Sequence, residues 1–157
     1  MKYILITIIV LIAIIFFFLF LPPAIYPFKC IAFSEYNLLK KTGNIKFNIA
    51  QDLRFYNEQN GLLDLRGEVE DEFGGKYILE RKITLTSGKR IDNDTVEYKF
   101  LKVEKGKVDD TSEELYEILI SEFTSSKESL QLDLLQLRPN VWVIRTSTSF
   151  LMACYTY

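Results

Sequence analysis

The chain has 157 residues, 48% of them hydrophobic and 14% aromatic, with two Cys, no His and a net charge of −2. That length fits one domain of ordinary size, and high apolar content with little net charge excludes extended disorder. There is no basic excess to draw nucleic-acid phosphates, and the lack of His excludes His-ligated zinc, Ser-His and Cys-His nucleophile pairs and the usual neutral-pH acid/base.

Residues 3–21 carry no charge, Gly or Pro, and Pro22 and Pro23 follow. A helix rising about 1.5 Å per residue takes such a run across roughly 28 Å, close to the hydrocarbon thickness of a bilayer. The run is longer than the h-region of a secretory signal, about 7 to 15 residues, and no small-x-small cleavage pair follows it. The spacing therefore predicts an uncleaved transmembrane anchor over residues 1–22, a short linker over 23–29 and a β-rich domain over 30–157. Charge does not orient the anchor, because Lys2 lies on one side and Lys29, Lys40 and Lys41 on the other. The cysteines do. Cys30 and Cys154 bracket the whole domain and suit a structural disulfide, hence an oxidising compartment; the other reading is two unpaired buried thiols. The disulfide reading places the domain in the periplasm of a bacterial source, anchored in the inner membrane.

Along the domain, period-2 alternation dominates. Ile45, Phe47 and Ile49 share one face, and Asn60-Gly61 signals a turn. Leu63, Leu65, Gly67 and Val69 alternate with Asp64, Arg66, Glu68 and Glu70. Gly74-Gly75 supplies the next turn. Tyr77, Leu79, Ile83 and Leu85 form an inward face, Ser87-Gly88 turns the chain again, and Val96, Tyr98 and Phe100 continue the pattern. Thr111 to Glu114 reads as a capping box for a helix with Leu115, Ile118, Leu119 and Phe123 as its apolar stripe. Two strands follow over 130–137 and 141–148, separated by Arg138-Pro139-Asn140, and an apolar segment over 150–157 carries Cys154. The expected fold is α+β and mostly antiparallel β: a transmembrane helix, then a curled or barrel-like antiparallel sheet with one helix across it.

Arg81 is the most informative single residue, since parity puts it on the face of Leu79 and Ile83. A buried guanidinium needs a carboxylate, a carbonyl cluster or an anionic ligand. It is either an anchor for an amphipathic anion inside a barrel, or a bulge, edge-strand charge or slipped strand end. Tyr77 and Trp142 join it as candidate ligand or partner contacts. Trp142, Tyr98, Tyr116 and Phe123 either line a pocket or form plain core. Glu68, Glu70, Asp71 and Glu72 form either a cation or acid-sensing cluster or a solvated hairpin end. Asn93-Asp94-Thr95 fits a glycosylation sequon only in a eukaryotic secretory pathway. No phosphate loop, metal-loop spacing or S-x-x-K occurs. The expectation is no enzyme, no catalytic residue, no cofactor and no metal.

The anchor, the cysteine directly after it in Phe28-Lys29-Cys30, the hairpin signal running from Asn60-Gly61 through Leu62-Leu63-Asp64-Leu65-Arg66-Gly67, and the terminal Phe150-Leu151-Met152-Ala153-Cys154 resemble the FidL-like membrane proteins of enteric bacteria. The layout is similar to the MyfF–PsaF type of fimbrial accessory protein and, in role, to ToxS. The resemblance implies a partner: a single-pass membrane transcription regulator whose periplasmic domain the accessory protein binds, stabilises and helps to signal in virulence or fimbrial gene control. It also implies a disulfide between Cys30 and Cys154 and, by likeness to one related pair, a barrel shared by two chains that takes up an amphipathic ligand. Direct nucleic-acid binding is not expected. The rival readings are a self-contained periplasmic sensor of an amphipathic anion or of pH, and an envelope or fimbrial assembly accessory.

Overall fold

A computed structural model describes residues 10–12, 26–40, 43–124, 126–147 and 149–157. The anchor expected over 1–22 lies outside these residues except for 10–12, which are helical and exposed. Among the described residues no helix is long and apolar enough to cross a membrane.

Eight strands follow one another around a closed barrel: β1 (Phe28–Leu39), β2 (Asn44–Phe55), β3 (Gly61–Glu70), β4 (Lys76–Arg90), β5 (Thr95–Lys105), β6 (Ser129–Arg138), β7 (Val141–Arg145) and β8 (Phe150–Thr156). Every neighbouring pair is antiparallel. The helix α1 (Glu113–Phe123) lies between β5 and β6 in sequence. The expected mostly antiparallel β fold with a barrel-like sheet and a helix is therefore what the chain adopts.

Alternation explains the closure. Phe47, Ile49, Leu53 and Phe55 on β2, Leu63, Leu65 and Val69 on β3, and Leu79, Ile83 and Leu85 on β4 all point inward and are essentially buried. Eight strands leave an interior just wide enough for side chains to fill. Phe55 stacks on Tyr98 at 4.9 Å and on Phe28 at 5.5 Å, while Trp142 meets Phe28 edge-on at 5.4 Å. Tyr116, Leu119 and Phe123 turn the apolar face of α1 into the far rim, with Phe123 5.6 Å from Tyr36. Gly67 has a steric reason: a Cβ there would stand 2.0 Å from the Asn48 carbonyl oxygen on β2.

Closure is uneven. β1 pairs with β2 over its full length but with β8 only through Cys30↔Thr156 and Ile31↔Tyr155. The Cys30–Cys154 disulfide joins β1 to β8 at this short seam, with Cα atoms 5.6 Å apart, a normal bridging distance.

Several expectations need correction. β1 begins at Phe28, so the boundary drawn at residue 30 falls inside the strand, and residues 28–39 form a strand that the sequence pattern left unassigned. Ser87-Gly88 is no hairpin turn. β4 continues to Arg90, Ser87 takes a positive φ of 52°, and the β4–β5 register shifts between Thr86 and Lys89, so the dipeptide forms a bulge. The turn comes four residues later, where Asp92 accepts from the backbone N–H groups of Asp94 and Thr95. Ser112 caps α1, not Thr111: the Ser112 side chain accepts from Leu115 N, while the Thr111 hydroxyl donates to the Ile78 carbonyl. The strand expected over 141–148 stops at Arg145, where Thr146 and Ser149 close a tight turn into β8.

Candidate functional site

Parity places Arg81 inside the barrel, and it is there, 3% exposed. Its Nε donates to Asp109 Oδ2 at 2.8 Å, its two terminal nitrogens donate to Glu113 at 2.8 and 3.1 Å, and Nη2 also reaches the Thr111 carbonyl at 3.4 Å. The guanidinium carbon sits 4.6 Å over the Tyr116 ring. Burial works against the charge on Arg81, but the hydrogen bonds to Glu113 and Asp109 more than offset it and hold its pKa above the ordinary value. The same contact with Arg81 holds the Glu113 carboxyl below the usual carboxylate range. Burial pushes the Tyr116 hydroxyl up to about 12 against the opposing charge of Arg81. The partner that a buried guanidinium requires is thus supplied by two carboxylates of the same chain.

The loop that brings these carboxylates is tied along β4. Asp109 also accepts from Glu80 N and Thr111 N, Asp110 accepts from Ile78 N, and Asp110 N donates back to the Ile78 carbonyl. Arg81 therefore fixes the N-terminus of α1, and through it the helix, over the barrel rim.

The other sequence candidates are scattered. Tyr77 donates to Asp71 Oδ2 at 3.0 Å beside the Gly74-Gly75 turn, at the helical rim. Trp142 packs on Phe28 at the opposite rim. Tyr98, Tyr116 and Phe123 are buried in the core. In the acidic cluster, Lys76 bonds Glu68 at 3.1 Å and Lys46 faces Glu70 at 3.8 Å. Asp71 accepts from the backbone N–H groups of Gly75 and Phe73, which holds its carboxyl low. Among the described residues no three His, Cys, Asp or Glu side chains are grouped to hold a metal ion.

A feature that sequence reasoning missed lies next to α1. β6 pairs with β5 only from Thr95↔Asp133 to Lys99↔Ser129, and Phe100 N adds one bond to the Glu128 carbonyl. Beyond that, Leu101 falls in a bulge and residues 102–105 pair with β4 alone. Among the described residues no strand covers their other side. Facing this edge, a groove of about 400 Å³ runs between β5 and α1, lined by Phe100, Val103, Tyr116, Ile120, Glu117 and Lys127 among others. Leu101 is 67% exposed beside it. A free strand edge over an apolar floor is the geometry that takes up an added strand. The only sequence signal was the break between the end of β5 and the capped helix, which does not say which residues lose their neighbour.

The family model described as FidL-like putative membrane protein matches residues 67–154, more than half of the chain, from the middle of β3 to the cysteine of β8. No curated protein and no solved structure matches the chain.

Proposed function

The chain belongs to the FidL-like family, and from that premise we propose that it is an inner-membrane accessory protein. Its periplasmic barrel binds and stabilises a single-pass membrane transcription regulator and so supports environmental signalling in virulence or fimbrial gene control. The observation that carries this reading is the unpaired edge of β5 at residues 101–105, set beside the groove under α1. A partner strand laid there would satisfy the free backbone groups and place alternate side chains against Phe100, Val103 and Ile120. Binding to the folded state stabilises both chains by mass action, and confinement to one membrane raises their effective concentration.

The self-contained anion sensor draws no support from Arg81, whose charge is met by Asp109 and Glu113.

A photo-crosslinking residue at position 103 of the full-length protein in its native membranes tests the proposal, with Lys76, the exposed first residue of β4 paired with Glu70 of β3, as the control position. The expected result is a crosslink from 103, and not from 76, to a single-pass protein with a cytoplasmic DNA-binding domain, and lower levels of that protein when this chain is deleted. Capture of a pilus or outer-membrane component instead would overturn the regulatory reading in favour of an assembly role.

A further inference from the structure

The two halves of the barrel wall present different chemistry to the outside. On β2 to β5 outward charges are paired, Lys46 with Glu70, Lys76 with Glu68, Arg66 with Asp64 and Glu80, and Lys102 with Glu104, with Ile78 and Leu101 as exposed apolar residues among them. The wall built from β6, β7, β8 and β1 carries two apolar rows toward the Trp142 rim, with the Asp133–Arg145 ion pair and exposed Glu35 beyond them toward α1. Val141, Tyr155 and Ile31 stand side by side in register across β7, β8 and β1. In the adjacent row Leu135, Val143 and Ala153 stand side by side across β6, β7 and β8, and Phe33 lies two residues beyond Ile31 on the same face of β1. Phe33 is 84% exposed and Tyr155 is 60% exposed. Scattered exposed apolar residues are ordinary, but a contiguous patch on one wall, facing a charged wall opposite, marks a contact surface.

The course of the chain indicates the occupant. The apolar run over 3–21 ends five residues before Tyr26, and the strand it leads into, β1, belongs to the wall with the apolar rows. From residue 21 to Phe28, where β1 starts, the backbone reaches at most about 25 Å. With that run as a membrane anchor, the start of β1 stays within this distance of the bilayer surface. The border of the wall at this rim carries the exposed cations Lys29 and Arg138 beside Tyr155 and Tyr157, the basic and aromatic pairing that suits a headgroup layer. At the far rim α1 turns the acids Glu114 and Glu117 outward, which anionic headgroups would repel.

We propose that the β6–β7–β8–β1 wall rests on the phospholipid surface, holding the barrel on its side with β2, β3 and β4 turned to water. This rests on the reading of residues 3–21 as an anchor and not on the identity of any partner.

The test uses the full chain in phosphatidylcholine–phosphatidylglycerol vesicles whose upper acyl chains carry bromine, a contact quencher of tryptophan. The chain has one Trp, so Trp142→Phe supplies a silent background for Phe33→Trp or Glu68→Trp, both at outward positions. The expected result is blue-shifted emission quenched at least twofold at position 33, against water-like, unquenched emission at 68. Equal, water-like emission at both positions would overturn the proposal. Blue-shifted but unquenched emission at 33 would also overturn it, in favour of a protein, either a second copy or a partner, covering the wall. Release of the chain by alkaline carbonate would remove the anchor premise itself. The crosslink from position 103 is read separately, so failure of the wall proposal and failure of the partner proposal give different results.

Discussion

Arg81 Nε lies 2.8 Å from Asp109 Oδ2, with the two side chains 3% and 0% exposed. A pair this deep owes little to Coulomb attraction alone; what matters is that neither charge is left alone. Asp109→Ala removes the buried one of the two carboxylates that meet Arg81, leaving the more exposed Glu113, and also orphans the N–H groups of Glu80 and Thr111. The expected loss is about 3–5 kcal/mol in chemical denaturation. Arg81→Met with Asp109→Leu should recover part of that loss, but not the part owed to the two backbone donors. A single Asp109→Ala variant as stable as the parent would mean that the loop does not hold α1 in place.

The disulfide closes a sequence separation of 124 residues across the shortest seam of the barrel. In the chain-entropy account a loop of that size is worth about 4–5 kcal/mol. Replacing Cys30 and Cys154 together with Ser should therefore lower the melting temperature markedly. It should also localise the weakness, with amide exchange at β1 and β8 rising before that at β2 and β3. Uniform acceleration over all strands would show that the bridge acts only on the unfolded chain.

Much of this was legible in the residues, and the omissions have physical causes. β2, β3 and β4 declared themselves because one face is apolar and the other charged, so parity alone put Arg81 inside. The bracketing cysteines anticipated the bridge. β1 hid because Ile31, Phe33 and Leu39 on its outer face are as apolar as the inner Cys30 and Ala32, which erases the alternation. That same blurring is the sequence trace of the apolar rows. Ser87-Gly88 misled because a glycine after a residue at positive φ serves a bulge as well as a turn. The free edge of β5 could not be read at all, since it depends on where β6 begins to pair.

The start of α1 separates two hydroxyls that sequence spacing confuses. Ser112 accepts from Leu115 N at 3.2 Å, while Thr111 is buried and donates to the Ile78 carbonyl at 2.9 Å. Ser112→Ala should cost about 1 kcal/mol, the usual worth of a lost N-cap, and Ser112→Asp should retain most of the stability. Thr111→Val leaves the cap intact but removes one of the two donors to the Ile78 carbonyl, Asp110 N being the other, so Asp at that position should not rescue it. Thermal denaturation of the four variants, Thr111→Asp included, distinguishes the roles; equal rescue by Asp at both positions would contradict the assignment.

Stability should be flat across neutral pH, because the chain has no His to titrate there. On the acid side, hydrogen bonding from Arg81 lowers the Glu113 carboxyl, and backbone N–H donors lower Asp71 and Asp92. A carboxyl whose folded pKa lies below its unfolded value of about 4 adds stability above that value and loses it as pH falls through the folded pKa. The midpoint in denaturant should therefore hold from about pH 8 to 5 and fall below about 4. On the alkaline side the sign reverses in the usual way for phenols raised by burial. Burial lifts Tyr98 and, to about 12, Tyr116, so their contribution is complete below the unfolded value and disappears as pH rises through the folded one. Urea titrations at unit pH steps check both limbs. A step between pH 5 and 7 would require a titrating group that these carboxylates and phenols do not provide.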